Sequence, residues 1–162
     1  MFDIILFEPE IAPNTGNVIR LCANAGTRLH LIEPLGFELD EPRLRRAGLD
    51  YHELTVVRTH PSLHDCLQTL APANLYAFSR RASRCYTSVG FAPGDALLFG
   101  PETRGLPAMV LEQDSVTATL RLPMRPGNRS LNLSNAVAIA CYEAWRQSGF
   151  AGAEDDGGTG RT

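Results

Sequence analysis

The sequence has no apolar run long enough to cross a bilayer, and no basic leader precedes its first apolar segment. That segment, residues 2–7, follows Met1 directly. We therefore expect neither a secretory signal peptide nor a membrane partner, and we predict a cytoplasmic protein. The chain also lacks an excess of positive charge, since its formal net charge is −3. Net charge alone gives no indication of a nucleic-acid partner.

Cysteine pairs of the kind that bind metals or form redox disulfides are missing. No Cys-x-x-Cys occurs, and the four cysteines are widely separated, at Cys22, Cys66, Cys85 and Cys141. Packed, reduced thiols are the expected state. His60 and His64 are four residues apart, but Pro61 lies between them and no carboxylate motif completes a site. We therefore expect no metal.

Three signatures of nucleotide and acyl chemistry are also missing. Gly100 and Gly105 have the glycine spacing of a phosphate-binding P-loop, but Leu106 occupies the position of its lysine. No Gly-x-Gly-x-x-Gly follows the first apolar run, and no Gly-x-Ser-x-Gly occurs. The sequence therefore argues against a P-loop triphosphatase, a Rossmann-type dinucleotide site and an α/β-hydrolase nucleophile.

What is present is an alternation of apolar runs and helical patterns. The length of 162 residues and the hydrophobic fraction of 44% fit one globular domain, which we place at residues 1–150. Predicted strands lie at residues 2–7, 29–32, 55–57, 75–78, 96–99 and 117–122, and predicted helices at 14–25, 41–47, 62–70, 107–112 and 131–147. This alternation predicts an α/β fold, a mostly parallel sheet with helices on both faces. Residues 151–162 are rich in glycine and acid, and we expect a disordered tail.

The first predicted helix has an apolar stripe and a polar face. Asn14 or Thr15 is the predicted N-cap, and Gly26 is the predicted end. A proline-containing loop presents the helix N-terminus together with Arg20, an arrangement that attracts anions. The alternative is a solvated helix face without a ligand.

Two loops carry the strongest indication of a binding site. The apolar run 96–99 breaks into a loop with two glycines and two prolines, and a similar loop, residues 123–130, precedes the last helix. Because ligands bind beyond the carboxyl ends of parallel strands, we expect both loops to face one pocket. Loop backbone would form most of it, with side chains from Arg20, Glu102, Asn132, Ser134 and Tyr142. Such a pocket suits a cofactor recognised by main-chain groups.

Two surfaces indicate macromolecular partners. Arginines cluster in two segments, Arg43, Arg45 and Arg46 in one, and Arg80, Arg81 and Arg84 in the other. These clusters are either RNA contacts or solvated charge. The last helix carries Tyr142 and Trp145 opposite its apolar stripe, which favours a homodimer in which this second face is buried.

Three segments together resemble the motifs of one family. Residues 14–20 are Asn-Thr-Gly-Asn-Val-Ile-Arg, residues 99–107 are Phe-Gly-Pro-Glu-Thr-Arg-Gly-Leu-Pro, and residues 131–136 are Leu-Asn-Leu-Ser-Asn-Ala. They resemble the three motifs of the SPOUT class of knotted RNA methyltransferases. From residue 2 to about 149 the chain is similar to the small single-domain type that methylates the ribose 2′-oxygen of the tRNA wobble nucleoside, cytidine or uridine 34.

The resemblance implies a fold, a cofactor and partners. The C-terminal part of the sheet would form a deep trefoil knot, which connection rules alone would not predict. S-adenosylmethionine would be held mainly by backbone at Phe78, Gly100, Leu122 and Ser130. The partners would be a second copy of the chain and a tRNA anticodon loop, with leucine isoacceptors expected. Phosphate contacts are predicted from the two arginine clusters. Methylation at another tRNA or rRNA position, and a non-catalytic RNA-binding dimer, are the alternatives.

The resemblance also implies roles at the reacting ribose. Asn14 and Arg20 match the first motif, in which the arginine lies at the ribose and the partner subunit often completes the site. Arg20 is either a base of strongly depressed pKa or a cation that aligns the hydroxyl and its phosphate. Glu102 would orient Arg20 or the loop. Tyr142 would contact the nucleotide or the dimer partner.

Overall fold

The structure is a computed structural model, and it describes residues 1–39 and 56–154. Its elements in chain order are β1 (Asp3–Phe7), α1 (Ala12–Ala25), β2 (Arg28–Ile32), β3 (Val57–His60), α2 (Leu63–Leu70), β4 (Leu75–Phe78), β5 (Arg84–Cys85), a 3₁₀ turn (Tyr86–Ser88), β6 (Ala96–Phe99), α3 (Ala108–Leu111), β7 (Ala118–Arg121) and α4 (Leu133–Gln147). The predicted helix at 41–47 lies outside the described residues. So do Arg43, Arg45 and Arg46 and most of the predicted tail.

The strands form one sheet in the order β3-β2-β1-β6-β4-β7-β5. Every described pair of neighbours runs parallel. The predicted α/β fold is therefore confirmed, with a sheet that is parallel throughout instead of mostly so. Because parallel strands all end at one edge, the loops that follow β1, β4, β6 and β7 converge there.

Helices cover both faces of this sheet, as predicted. Alternate side chains of β1 and β6, such as Ile4 and Leu97, pack against α1 and α4. Their neighbours Ile5 and Leu98 pack on the other face against α2 and α3. All four residues of β6 are buried, which is the burial that a continuous apolar run predicts for a strand covered on both sides.

Helix α1 begins earlier than predicted. Its N-cap is Ile11, which makes no side-chain capping bond, and Pro13 lies in the first turn, where a fixed φ suits the helix and a missing N–H is not needed. The prediction of Asn14 or Thr15 as N-cap is wrong, because both residues are buried inside the helix. The predicted end is confirmed, since Gly26 adopts the left-handed conformation with φ 64°.

Helix α4 has the predicted buried stripe and the predicted second face. Its inward residues are buried at Leu133, Ser134, Val137, Ala140, Cys141 and Ala144. Outward, Ile139 and Tyr142 remain 40% and 46% exposed. The ring of Tyr142 packs edge-on against Trp145, with 5.5 Å between the centroids. An apolar face of this kind is left uncovered by the described part of the chain.

Two strands differ from the prediction by more than one residue at an end. β3 extends over Val57–His60 instead of residues 55–57, and it carries a polar pair, Arg58 and Thr59, that weakens the apolar signal. β5 was not predicted, because it has only two residues and packs neither of them fully.

All four cysteines are free, and three of them are buried, which confirms the packed thiols. Among the described helices, none has the length and apolar character needed to span a membrane.

Candidate active site

A cleft lies at the carboxyl edge of the sheet, where the loops converge. Its volume is about 700 Å³, which is within the usual range for a small-molecule site. The four residues predicted to hold a cofactor all line it: Phe78 after β4, Gly100 after β6, Leu122 after β7, and Ser130 before α4. The two loops singled out in the sequence therefore do face one pocket.

The loop after β6 is folded tightly on itself at Gly100. A Cβ atom at this position would lie 2.3 Å from the Leu106 backbone nitrogen and 2.5 Å from the Gly105 carbonyl carbon, far inside contact distance. Gly105 has φ 68° and donates its N–H to the Pro101 carbonyl at 3.0 Å. Only glycine at position 100 allows residues 105 and 106 to lie this close to it. The tight fold keeps loop backbone at the cleft.

Stacked aromatic rings form an apolar wall of the cleft. Phe78 and Phe99, at the ends of neighbouring strands β4 and β6, lie 4.6 Å apart between centroids and 14° from parallel. They are paired in register across the two strands, so the sheet itself fixes their spacing. Such a wall offers a flat ligand ring an apolar surface next to hydrogen-bonding loop backbone.

A chain of hydrogen bonds joins the three motifs. The Glu102 carboxylate accepts from the backbone N–H of Glu10 at 2.8 Å, from that of Ile11 at 3.2 Å, and from Asn14 Nδ2 at 3.1 Å. Asn132 Nδ2 donates to Asn14 Oδ1 at 2.9 Å. The loop after β6, the start of α1 and the start of α4 are thereby tied together. Of the two roles predicted for Glu102, orientation of a loop is the one that these bonds serve.

The same amide anchors the start of α4. Asn132 is the N-cap, and its Oδ1 accepts both the Ser134 N–H at 2.9 Å and the Ser134 hydroxyl at 2.7 Å. Asn132 therefore caps a helix with its oxygen and holds Asn14 with its nitrogen. With all these groups engaged, the network sets geometry and is not poised as a nucleophile or base.

A second set of contacts joins the loop after β6 to the loop after β1. These contacts were not predicted from the sequence. Thr103 donates its backbone N–H to Glu10 at 3.0 Å and its hydroxyl to the same carboxylate at 2.9 Å. These bonds lower the pKa of Glu10. Arg104 pairs with Glu8. Two short loops at adjacent strands are thus fixed against each other, and only the strand order, with β1 beside β6, brings them together.

The remaining predicted site residues lie around the cleft or away from it. Asn14, Glu102, Arg80 and Arg81 line it. Arg84 lies on β5 and donates to the Ser88 hydroxyl at 3.2 Å. Arg20 is exposed on α1 and Tyr142 is exposed on α4, and neither belongs to the residues that line the cleft. The predicted constellation is therefore only partly assembled within one described chain.

The chemistry of the cleft is that of binding and alignment. The described residues that line it include no histidine, cysteine or aspartate, and their one carboxylate, Glu102, is already engaged by three donors. Apolar rings and loop backbone suit a neutral, flat ligand, whereas Arg80 and Arg81 at its margin suit an anion. The cleft thus suits a nucleoside-bearing cofactor beside an anionic substrate.

A parallel α/β sheet with such a cleft defines a class of proteins that bind ligands with the loops at the carboxyl edge of the sheet. The chain belongs to the SpoU rRNA methylase family, whose model matches residues 1–142. This confirms the resemblance drawn from the three motifs.

Individual relatives extend the match over almost the whole chain. A protein of Burkholderia ambifaria named tRNA (cytidine(34)-2'-O)-methyltransferase is 59% identical over 154 residues, which are 94% of this chain and 99% of that protein. A solved structure described as giving insights into the 2-OH methylation of C/U34 on tRNA is 46% identical, with TM-score 0.82, and covers 93% of this chain and 97% of its own. An AdoMet-bound rRNA methyltransferase from Sinorhizobium meliloti shares the fold, with TM-score 0.78 and 23% identity over 90% of this chain and 56% of its own.

Proposed function

We propose that this protein transfers a methyl group from S-adenosylmethionine to the ribose 2′-hydroxyl of nucleotide 34 of tRNA. The observation that carries the proposal is the 59% identity, over 94% of the chain, to a protein named for this activity. The cleft supports it independently, because the three motifs that the sequence shares with methyltransferases are the segments that meet there.

The cleft fits the cofactor. Gly100 allows the loop backbone to fold closely on itself at the cleft, the Phe78 and Phe99 rings offer a flat apolar surface, and about 700 Å³ accommodates a nucleoside with an amino-acid arm. Phe78, Gly100, Leu122 and Ser130 are the residues that would hold it. When bound, the cofactor supplies an activated sulfonium methyl group, so the protein is left to position the acceptor hydroxyl.

Arg20 is the residue that we place at the reacting ribose. Its guanidinium either acts as the base or aligns the 2′-hydroxyl and the adjoining phosphate. Asn14 and Glu102 position this end of α1 relative to the loop after β6 through the bond between them. They are positioning residues, since their described bonds go to the protein itself.

The tRNA would be held through arginine. The chain has no lysine, so its 15 Lys and Arg positions are all arginine. A guanidinium group can form bidentate hydrogen bonds with phosphate. Arg80 and Arg81 lie at the cleft and Arg84 lies further along the same segment. Arg43, Arg45 and Arg46 remain predicted contacts outside the described residues. An anticodon loop offers exposed single-stranded bases, which side chains can recognise by stacking and hydrogen bonding.

A homodimer completes the proposed site. The exposed apolar face of α4, with Ile139, Tyr142 and the edge of Trp145, is what a second copy would cover. Arg20 lies on the exposed side of α1 and does not line the cleft of its own chain. In a homodimer, Arg20 of one subunit would reach the cleft of the other subunit. We also place residues 1–150 in a single domain whose C-terminal part is knotted, and we infer a cytoplasmic enzyme.

The test is methyl transfer from labelled S-adenosylmethionine to tRNA, followed by mapping of the labelled nucleotide. We expect a 2′-O-methyl group at nucleotide 34. Arg20→Ala should lose at least 100-fold in rate while its melting temperature and cofactor affinity stay unchanged, whereas Arg58→Ala, an exposed arginine on β3, should behave like the parent protein. Label at another position would favour the other RNA site, and binding without transfer would favour the non-catalytic dimer.

A further inference from the structure

A buried polar cluster lies away from the cleft, on the face of the sheet that α2 covers. The cluster contains Asp3 of β1, His30 of β2 and His60 of β3. These residues are 2%, 0% and 7% exposed, respectively. Cys66 of α2 is fully buried beside them. The proposed methyl transfer uses none of these residues, and polar groups buried this deeply normally have a specific partner.

The cluster is arranged as a line of hydrogen bonds. Arg28 donates Nε and one terminal nitrogen to the two oxygens of Asp3, at 2.7 and 2.8 Å. The Asp3 carboxylate lies 3.0 Å from His30 Nε2, and His30 Nδ1 lies 2.9 Å from His60 Nε2. A carboxylate only accepts, so Nε2 of a neutral His30 carries the proton and its Nδ1 presents a lone pair to His60.

This order of groups is the one that surrounds a metal-bound histidine. Ligating imidazoles characteristically donate their other N–H to a carboxylate, which fixes the tautomer and raises the basicity of the coordinating nitrogen. Asp3 holds His30 in this way and is itself held by Arg28. That lone pair is directed at His60 Nε2, 2.9 Å away, and one ligand atom from each of His30, His60 and Cys66 lies within 4.8 Å of the others.

We propose that His30 Nδ1, His60 Nε2 and Cys66 Sγ form a binding site for Zn²⁺, with Asp3 orienting His30. Zinc favours mixed nitrogen and sulfur donors, with bonds of about 2.0 Å to nitrogen and 2.3 Å to sulfur, which separate tetrahedral ligand atoms by about 3.3–3.8 Å. The nitrogens must part by a few tenths of an ångström, each imidazole must turn by about 35° so that both lone pairs meet at the metal, and the sulfur must approach by at most about 1 Å. Side-chain rotations of Cys66 and the two histidines supply such movements.

The proton balance of binding is simple. His60 moves its proton from Nε2 to Nδ1, which frees Nε2 for the metal, and Cys66 releases one proton to solvent. Burial, with a smaller contribution from the Asp3 charge, raises the pKa of the Cys66 thiol to about 12. Cys66 therefore stays protonated without a metal, whereas coordination deprotonates a thiol outright. A water molecule would take the fourth position.

Such a site would join β2, β3 and α2, and thus fix the edge strand of the sheet. A zinc site here would contradict the expectation of no metal, for which His60 was paired only with His64. The two true partners of His60 lie 30 residues before it and six after it, and neither spacing belongs to a familiar metal motif. His64 instead faces outward, where its Nε2 lies 2.9 Å from Gln68 Nε2.

Cobalt provides the direct test, because Co²⁺ reports tetrahedral geometry and thiolate bonding by its absorption. The full-length protein, made without a histidine tag and freed of metal by chelation, is titrated with Co²⁺. We expect one equivalent to bind with intense visible d–d bands and a near-ultraviolet thiolate charge-transfer band. Zn²⁺ should bleach these bands stoichiometrically and raise the melting temperature.

Variants separate this site from adventitious binding. Cys66→Ser should lose the charge-transfer band, and His60→Gln should weaken Co²⁺ binding at least 100-fold. The matched controls are His64→Gln, an exposed histidine on α2, and Cys85→Ser, a half-exposed cysteine at the opposite edge of the sheet, and both should bind like the parent protein. Circular dichroism confirms folding of each variant. Absence of the bands in the folded parent, or their persistence in both Cys66→Ser and His60→Gln, overturns the proposal and leaves the cluster as a hydrogen-bonded relay.

Discussion

Replacing the Glu102 carboxylate by an amide tests whether one side chain holds the cleft together. Glu102 Oε2 accepts from the Glu10 N–H, and Oε1 accepts from the Ile11 N–H and from Asn14 Nδ2. In Glu102→Gln, one oxygen becomes an NH₂ group that faces a donor. The best orientation keeps the two bonds at Oε1 and sets the new donor against the Glu10 N–H. One charge-assisted bond is lost, and the remaining two become neutral.

The expected loss follows from these bonds. A hydrogen bond to a charged group contributes about 1.5–3 kcal/mol, and Glu102 is only half-buried, so we take the lower part of this range. A loss of about 1.5 kcal/mol in the free energy of unfolding lowers the melting temperature of a domain of this size by about 3–6 °C. Cofactor affinity should fall as well, because the loop that carries Gly100 loses its anchor to the start of α1.

The assay is thermal unfolding by circular dichroism, with titration calorimetry for the cofactor. Glu112→Gln is the matched control, since it makes the same chemical change at an exposed position at the end of α3. If the two variants melt within 1 °C of each other and bind the cofactor equally, the three bonds do not hold the loop and the positioning role of Glu102 is refuted.

Three further predictions concern the loop, the RNA and the dimer. Gly100→Ala should lose cofactor binding and about 3 kcal/mol of stability, because its Cβ would meet loop backbone at 2.3 Å. Arg80→Ala combined with Arg81→Ala should reduce the slope of log affinity for tRNA against log salt by about 1.4. Arg20→Ala mixed equally with a cleft-blocking Leu122→Glu variant should recover about a quarter of the parent activity if partners exchange, since half the dimers are mixed and each has one complete site.

The first two of these have a control within the chain. Gly90→Ala adds a methyl group at an exposed position with nothing within 4 Å, so it should leave stability and cofactor binding unchanged; equal damage from both substitutions would remove the steric argument. Arg58→Ala should leave the salt slope unchanged, and an unchanged slope in the double variant would remove Arg80 and Arg81 from the RNA surface. No recovered activity in the mixture, with exchange confirmed, would place Arg20 at the cleft of its own chain.

The sheet was predictable because its central strands are buried on both faces. Ala96–Phe99 and Leu75–Phe78 are continuous apolar runs, and burial on two sides permits little else. The outer elements were less predictable. Arg84–Cys85 is short and half-polar, and the start of α1 depended on Pro13 fixing the first turn, although Asn14 has the stronger capping propensity. Propensity was overridden because the Asn14 side chain bonds to Glu102 and Asn132.

The site was predictable as a set of loops but not as a set of contacts. Gly100 and the prolines around it indicated a constrained turn, and a turn after a parallel strand lies at the ligand edge. The bonds from Thr103 to Glu10 and from Glu102 to Asn14 join residues about 90 positions apart. They depend on β6 lying beside β1, and no local pattern encodes this order. The buried pair of His30 and His60 was missed for the same reason, since only the pairing of β2 with β3 brings them together.

The proposed methyl transfer requires two tasks of the protein, binding of the methyl donor and alignment of the acceptor hydroxyl, and different residues serve them. The carboxylate and amide side chains of the cleft are hydrogen-bonded to one another and to the loops, so the binding of the proposed methyl donor would depend on backbone and apolar rings. Displacement at an activated methyl group needs no protein nucleophile, only a hydroxyl held in line. We propose Arg20 for that remaining task; it lies on the outer side of α1 and not in the lining of the described cleft. Binding and alignment are therefore separable: Arg20→Ala should abolish transfer with the cofactor still bound, whereas damage at Gly100 should abolish both.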